Sequence, residues 1–217
     1  TVAAKLGSKD PSMNPRLRSA IQTARAANMP KDNIERAVKK SEINKNLNYN
    51  SLTYEGFGPE KIAIIIETLT DNKNRTVSDI RSTLSKAGGN MAENGAVAWQ
   101  FEQKGVIVVD VEANDAENLA LAAIDAGADD FETYDGTLHV YSEPTSLENI
   151  RSTLTNSEAK VSSTELSMIP NNTIMLDSKK AIQTLRLLDS LEELDDVQKV
   201  YSNADFPEDA LDNFKAS

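Results

Sequence analysis

Residues 61–70 of the chain read KIAIIIETLT, and residues 76–89 read TVSDIRSTLSKAGG. The first stretch is a run of apolar, β-branched residues, which is typical of a central strand buried on both faces. A capping box at Thr76 and a closing Gly-Gly pair frame the second stretch. Its apolar residues recur at helical spacing, at Val77, Ile80 and Leu84. The two stretches predict a strand followed by a helix that begins at Thr76.

The segment after this helix predicts two further strands. Residues 97–101 alternate between apolar and other side chains, and residues 106–111 form an apolar run. We expect a turn at residues 103–105 between them. Trp99 shares a face with Val97 and Phe101, so we expect its indole ring in the core rather than on the surface.

The rest of the chain continues to alternate between helices and strands. Asp135-Gly136 separates two alternating segments and predicts a two-residue hairpin over 131–141. After residue 206 an acidic tail, 207–217, is expected to be loose. The remaining elements are helices over 115–126, 147–154 and 178–191, and strands over 159–168, 173–176 and 197–202.

Residues before the first predicted strand differ in pattern from the residues after it. Residues 14–29 and 30–40 predict two amphipathic helices, and the Asn- and Ser-rich residues 41–53 predict a linker. The class is therefore α+β. We divide the chain into a basic helical domain (1–50), an α+β domain (54–112 and 170–206), an inserted α+β domain (113–169) and the tail. Ferredoxin-like βαββαβ units account for both α+β domains, and the string IRSTL at 80–84 and again at 150–154 hints at duplication.

Charge is distributed unevenly along the chain, whose net charge is −11. Residues 1–50 contain ten Lys or Arg and four Asp or Glu, which gives +6, and the remainder contains thirteen and thirty, which gives −17. A basic head on an acidic body is expected where only the head contacts a polyanion. The alternative is two ordinary solvated surfaces.

Cationic side chains of the first two helices could neutralise phosphates, a contact that fixes position without reading base sequence. No recognition-helix pattern supports sequence-specific reading of a major groove. The candidate nucleic-acid-binding residues are Arg16, Arg18, Arg25, Lys31, Arg36, Lys39 and Lys40, with Arg75 as a weaker addition.

The chain has few of the residue types that bind metals or act in catalysis. The chain has no cysteine and one histidine, His139, which excludes thiolate metal sites and cysteine nucleophiles. His139 alternates with apolar residues in a predicted strand, so we expect it to face solvent or a polar edge. No Walker A motif occurs, and the acidic pairs are interpreted as solvated. We therefore expect no catalytic residue, no metal and no cofactor.

No apolar run has the roughly 20 residues that a membrane helix requires, and no signal peptide opens the sequence. We expect no membrane partner and a cytoplasmic location. Because the first residue is Thr1, we also expect a further N-terminal segment ahead of it.

Two long stretches strongly resemble the YebC/PmpR family. They are NPRLRSAIQTARAANMPKDNIERAVKK (14–40) and YEGFGPEKIAIIIETLTDNKNRTVSDIRSTLSKAGGNMAENGAVAWQFEQKG (54–105). The motifs MPKDNIERA and GAVAWQFEQKG are the most specific parts, and the likeness is looser but collinear to about residue 206. The family includes bacterial proteins named as transcriptional regulators and the mitochondrial translational activator of cytochrome c oxidase subunit one.

The resemblance implies three domains, the third inserted in the second, and no known catalytic activity. It implies a regulator of gene expression that acts on DNA, or alternatively on the ribosome or messenger RNA as a translational activator. The basic domain would contact the nucleic acid, and the acidic domains could dock a protein partner. A protein-interaction scaffold without nucleic-acid contact is the third possibility. A eukaryotic source would place the protein in mitochondria.

Overall fold

The computed structural model describes residues 4, 10–26, 29–43, 49–111, 115–134 and 136–215. It is a mixed α/β structure that separates into two compact units, which we call unit 1 (Thr1–Tyr49) and unit 2 (Asn50–Ser217).

Unit 1 contains helices α1 (Pro15–Ala26) and α2 (Lys31–Ile43). Asn14 precedes α1, and its side-chain Oδ1 accepts a hydrogen bond from the Leu17 backbone N–H at 3.0 Å, as an N-cap does. Leu17 is only 2% exposed, and it lies in a small apolar cluster with Ala4, Ile21 and Val38. The predicted pair of amphipathic helices is confirmed, with each end within three residues of its expected position.

Unit 2 contains two four-stranded sheets, a short parallel strand pair and five helices among its described residues. In chain order its elements are β1 (Asn50–Phe57), β2 (Ala63–Thr70), α3 (Lys73–Lys86), β3 (Asn90–Ala92), β4 (Phe101–Asp110), α4 (Ala116–Asp125), β5 (Asp130–Tyr134), β6 (Thr137–Ser142), α5 (Leu147–Asn156), β7 (Lys160–Pro170), β8 (Ile174–Met175), α6 (Ser178–Glu192), β9 (Val197–Ser202), β10 (Ala204–Asp205) and α7 (Glu208–Lys215).

The first sheet has the strand order β3-β1-β2-β9, and all of its neighbours are antiparallel. The residues of β2 that were expected to be buried on both faces are so buried. Ile64 and Ile66 pack with Ile80 and Leu84 of α3 and with residues of α6, while Ile65 lies in a cluster on the opposite face. Two apolar layers therefore enclose this sheet.

The second sheet has the strand order β5-β6-β4-β7, again with antiparallel neighbours. It lies in the chain between strands of the first sheet. Its core is on one face, where Ile107, Val109 and Leu138 pack against α4 and α5. The predicted hairpin between β5 and β6 is confirmed, with Gly136 at φ 75°.

Several expectations differ from the structure. Residues 103–105, the expected turn, lie inside the continuous strand β4, which pairs with β6 and β7. That pairing puts β4 in the second sheet, although its residues were assigned to the first α+β domain. The acidic tail contains α7, where Ala210 is fully buried against the core of the first sheet. Amphipathic packing of Ala210 outweighs the polar composition that suggested a loose end.

Strand β1 is an element that the sequence pattern missed, because its first residues fall in the expected linker. Helix α3 begins at Lys73, three residues earlier than predicted. Asn72 caps it by accepting a hydrogen bond from the Arg75 backbone N–H at 3.2 Å. Thr76, the expected cap, is buried in the first turn and donates to the Asn72 carbonyl.

Candidate nucleic-acid interface

The exposed cations of unit 1 lie on its two helices. Arg18 and Arg25 are seven residues apart on α1, which places them on one side of the helix about two turns apart. Arg18 donates to the carbonyl oxygens of Pro11 and Ser12 at 3.0 and 2.7 Å. These bonds hold its guanidinium against the segment that leads into α1, at the surface of the helix.

Helix α2 carries the remaining cations. Arg36 is exposed and donates to the side-chain oxygen of Asn33 one turn earlier. Lys31 lies 3.8 Å from Glu35, an exposed i,i+4 pair of the kind that contributes little to stability. Neither contact buries its charge, so both side chains can still approach a phosphate.

Three further candidates are defined only through their backbones. Arg16 lies in α1, and Lys39 and Lys40 lie in α2. Their side chains are outside the described residues, and their role stays a prediction.

Arg75 lies in unit 2, where it forms ion pairs with two carboxylates of the same unit. Its guanidinium makes three hydrogen bonds to the Asp196 carboxylate, at 2.7 to 3.2 Å, and one to Asp71 at 2.9 Å. Hydrogen bonds to Asp196 raise the pKa of Arg75 above its ordinary value. Burial alone raises the pKa of Asp196, but hydrogen bonds from Arg75 and Thr76 outweigh it and lower that pKa. The geometry assigns Arg75 to the joining of β2, α3 and β9, and it does not favour a phosphate contact.

Trp99 does not lie in the core. Its side chain is 72% exposed, and its indole N–H donates to the Ala96 carbonyl at 3.1 Å. The expectation failed because residues 98–100 form a 3-10 turn rather than a strand, so Trp99 does not share the buried face of Val97 and Phe101. Because Val97 and Phe101 are buried, the alternating pattern predicted a buried Trp99, and the exposed indole could not be recognised from sequence.

The loop that presents Trp99 is held by a buried carboxylate. Glu55 of β1 is 6% exposed, and it accepts backbone N–H bonds from Gly95, Val97 and Ala98 at 2.6 to 2.9 Å. Burial tends to raise the pKa of Glu55, but these backbone donors outweigh burial and lower it. Because a charged acceptor makes strong hydrogen bonds, the Trp99 loop is well anchored.

Sites of other kinds are not evident in the part of the chain that the structure describes. Its His, Asp and Glu side chains form no group of three or more that could hold a metal ion. Its helices include none that is long and apolar enough to cross a membrane. His139 lies on β6, half-buried, with one ring nitrogen 3.1 Å from the Thr137 hydroxyl, as expected for a polar sheet position.

Fold and charge together define a mixed α/β protein with a basic helical unit at its start. Two family models match the chain: the TACO1/YebC protein N-terminal domain over residues 1–44, and the TACO1/YebC second and third domain over residues 49–204. The chain belongs to the TACO1/YebC family, which confirms the resemblance seen in its sequence.

Relatives and a solved structure agree with this assignment. A probable transcriptional regulatory protein of Pelagibacter ubique is 48% identical over 206 residues, which cover 95% of this chain and 86% of the relative. One of the same description from Desulfosudis oleivorans is 48% identical over 205 residues, or 94% and 83%. The crystal structure of a conserved hypothetical protein from Aquifex aeolicus matches with a TM-score of 0.79 at 37% identity, and covers 95% of this chain and 86% of that one.

Proposed function

We propose that this protein is a non-enzymatic regulator of gene expression that contacts nucleic acid through unit 1. The observation that carries the proposal is the exposure of Arg18, Arg25, Lys31 and Arg36 on a segment of charge +6. Cations on two packed helices can neutralise several phosphates at once. The remainder of the chain, at −17, would repel a polyanion over most of its surface.

DNA-binding control of transcription is the first form of the proposal. The similar proteins from P. ubique and D. oleivorans are named as probable transcriptional regulatory proteins. Helices α1 and α2 would bind by phosphate contact, since no set of Asn, Gln and Arg at successive positions supports base reading.

Translational activation on the ribosome or a messenger RNA is the second form, and Trp99 favours it. An exposed indole on an anchored loop can stack on an unpaired base, which is how many proteins bind single-stranded RNA. In duplex DNA the bases are already stacked, so the ring would find no such partner. Both forms would place the protein in the cytoplasm, or in mitochondria for a eukaryotic source.

Unit 2 would supply position and protein contacts in either form. We propose that its two sheets are two ferredoxin-like domains, one inserted in the other, whose acidic surfaces dock a protein partner. A protein-interaction scaffold would have the protein contacts of unit 2 and would lack the nucleic-acid contact of unit 1.

The test is binding of the full chain to labelled duplex DNA, single-stranded RNA and ribosomes across a range of salt concentrations. We expect affinity to fall steeply as salt rises, and charge reversal of Arg36, Lys39 and Lys40 to glutamate to remove the phosphate contacts of unit 1. A matched control reverses three exposed cations of unit 2: Lys61, Lys73 and Arg81. An equal loss of affinity in the control variant would mean that binding depends on the net charge of the chain and not on unit 1. Absence of binding to all three probes in dilute buffer would leave only the scaffold.

A further inference from the structure

A groove runs between helices α3 and α6 on the outer side of the first sheet's helical layer. Its volume is about 620 Å³. The Gln183 side-chain amide donates to the Ala87 carbonyl at 2.9 Å and joins the two helices at one end of it. Although apolar atoms make up the larger part of the groove's lining surface, six of its nine lining residues have polar or cationic side chains: Thr83, Lys86, Lys179, Gln183, Arg186 and Ser190.

The three cations of this groove are not used within unit 2. Of the described cations of this unit, six lie within 4.0 Å of a carboxylate, namely Arg75, Lys104, Arg151, Lys160, Lys180 and Lys199. Lys86, Lys179 and Arg186 are exposed, and none of them forms such a pair with any carboxylate of the described residues. Lys61, Lys73 and Arg81 of this unit are also exposed and without such a pair within the described ranges, so what distinguishes Lys86, Lys179 and Arg186 is that they line one groove.

The lining of the groove also contains no acidic side chain among the described residues. Its polar groups are Lys and Arg cations, hydroxyls and one carboxamide, which are the groups that contact phosphate oxygens in nucleic-acid complexes. Three cations therefore line one depression in a unit that is acidic as a whole. A concave shape lined by cations selects an anion that can enter it.

We propose that the α3–α6 groove binds the phosphodiester backbone of a single nucleic-acid strand. Its volume is that of a typical small-ligand site, which accommodates a nucleotide or two and cannot admit a duplex. Lys179 and Arg186 are seven residues apart on one side of α6, so they can contact successive phosphates along the groove. Ala87 and Ile182, both half-buried, line the groove as well and give the sugars an apolar surface.

This site is separate from the one proposed for unit 1. It depends on residues of α3 and α6 alone and would exist whether or not α1 and α2 contact nucleic acid. Because the two sites share no residue, their failures can be distinguished by two variants of the same full-length chain.

The experiment measures the affinity of the full chain for a labelled single-stranded RNA and for DNA of the same sequence. The test variant is Lys179→Glu with Arg186→Glu. The control variant is Lys73→Glu with Arg81→Glu. Each pair joins one Lys and one Arg on a single helix of unit 2, all exposed and without a carboxylate within 4.0 Å among the described residues. The two variants therefore change the net charge equally.

We expect the test variant to weaken binding of both strands roughly tenfold, and the slope of log affinity against log salt to fall by about 2. The control variant should stay within about twofold of the unchanged chain, since its side chains lie outside the groove. Thermal unfolding of each variant checks the fold. If the test variant unfolds, Lys179→Gln with Arg186→Gln should still weaken binding, by a smaller factor.

Two outcomes would overturn the site. One is an equal loss in both variants, which would make the effect one of net charge. The other is competition by polyglutamate as effective as that by unlabelled RNA, which would identify an acidic protein segment as the occupant. Loss of binding in the Arg36, Lys39 and Lys40 variant, with none in the groove variant, would refute the groove and leave the role of unit 1 standing. Loss of binding in the groove variant, with none in the Arg36, Lys39 and Lys40 variant, would support the groove and refute the nucleic-acid contact of unit 1.

Discussion

The two sheets of unit 2 share one layout and reach it by different chain orders. Written from the same edge, they are β9-β2-β1-β3 and β7-β4-β6-β5, and every neighbouring pair is antiparallel. Strands β2 and β4 occupy the same position. The next strand in the first sheet is β1, which precedes β2 in the chain. The next strand in the second sheet is β6, which follows β4. A helix-covered antiparallel sheet is thus stable in either order, because cross-strand pairing does not depend on how the strands are linked.

What differs between the sheets is the face away from the helices. On that face of the first sheet, Ile65 packs with Val97 and Phe101, so the sheet is enclosed on both sides. On the same face of the second sheet, Val108, His139 and Tyr141 are half-exposed. Burial of Tyr141, with Glu132 nearby, raises its pKa to about 12. The difference shows why residues 63–66 of β2 are uniformly apolar while β6 alternates.

The largest expected effect is on the apolar layer that only the first sheet has. Ile65→Ala should lower the free energy of unfolding by about 3 kcal/mol, because a buried isoleucine leaves a cavity. Val108→Ala, on the corresponding face of β4, should cost about 1 kcal/mol or less, since its side chain is half-exposed to solvent. Urea unfolding of both variants measures this. Equal losses would mean that the second face of the second sheet is also covered.

A smaller effect is expected where the end of β2 meets the start of β9 and, in the second sheet, where the end of β4 meets the start of β7. Asp196→Ala should cost about 2 kcal/mol, because it removes the acceptor for the hydroxyls of Thr70 and Thr76 as well as for Arg75. In the second sheet, Asp110 pairs with Lys160 at 2.6 Å in an exposed setting. Asp110→Ala should leave the unfolding midpoint unchanged within error. A loss in the Asp110 variant as large as in the Asp196 variant would contradict the contrast.

The smallest effect is a dependence on pH at Glu55 of the first sheet. The pKa of Glu55 is below its ordinary value of 4.5 in the folded chain. Its contribution to stability is therefore fully present above pH 4.5 and is lost as pH falls through the lowered pKa. We expect Glu55→Gln to cost about 1 kcal/mol at neutral pH and progressively less in acid. Unfolding followed by Trp99 fluorescence would measure this, and a cost independent of pH would contradict it.

The repeat IRSTL shows how far a local pattern can be interpreted. In both copies the Ile and Leu are fully buried, at Ile80 and Leu84 and at Ile150 and Leu154. Yet α3 links β2 to the edge strand β3, whereas α5 leads into β7 at the other edge. The two helices are therefore not equivalent in the shared layout. The pentapeptide reflects the spacing that a sheet-covering helix needs, and the duplication that it suggested does not map onto equivalent positions.

Strand β1 shows what local sequence patterns miss. Its residues, NSLTYEGF, alternate only weakly, and its start is polar. It is a strand because β2 and β3 supply hydrogen-bond partners on both sides. Pairing of that kind joins residues distant in sequence, and no local signal reports it.

The cations of the candidate sites also divide into those that local sequence predicts and those that depend on distant residues. The exposed cations of α1 and α2 follow from helical spacing, which places Leu17 and Ile21 inward. Arg75 could not be assigned from its position in the chain, because its partner Asp196 is 121 residues away. The groove cations Lys179 and Arg186 were also missed, since nothing local indicates that they stay without a carboxylate.

Local sequence determined the helices of unit 1 through apolar spacing, the buried strand β2 through a β-branched run, and the hairpin of β5 and β6 through an Asp-Gly turn. Composition determined the concentration of positive charge at the front of the chain. These are properties of neighbouring residues, and the physics that produces them acts over a few positions. Tertiary structure alone decided which strands share a sheet, that Trp99 is exposed and which of the described cations of unit 2 have no carboxylate beside them. Each of those depends on contacts between segments far apart in the chain, where packing and charge pairing outweigh local preference.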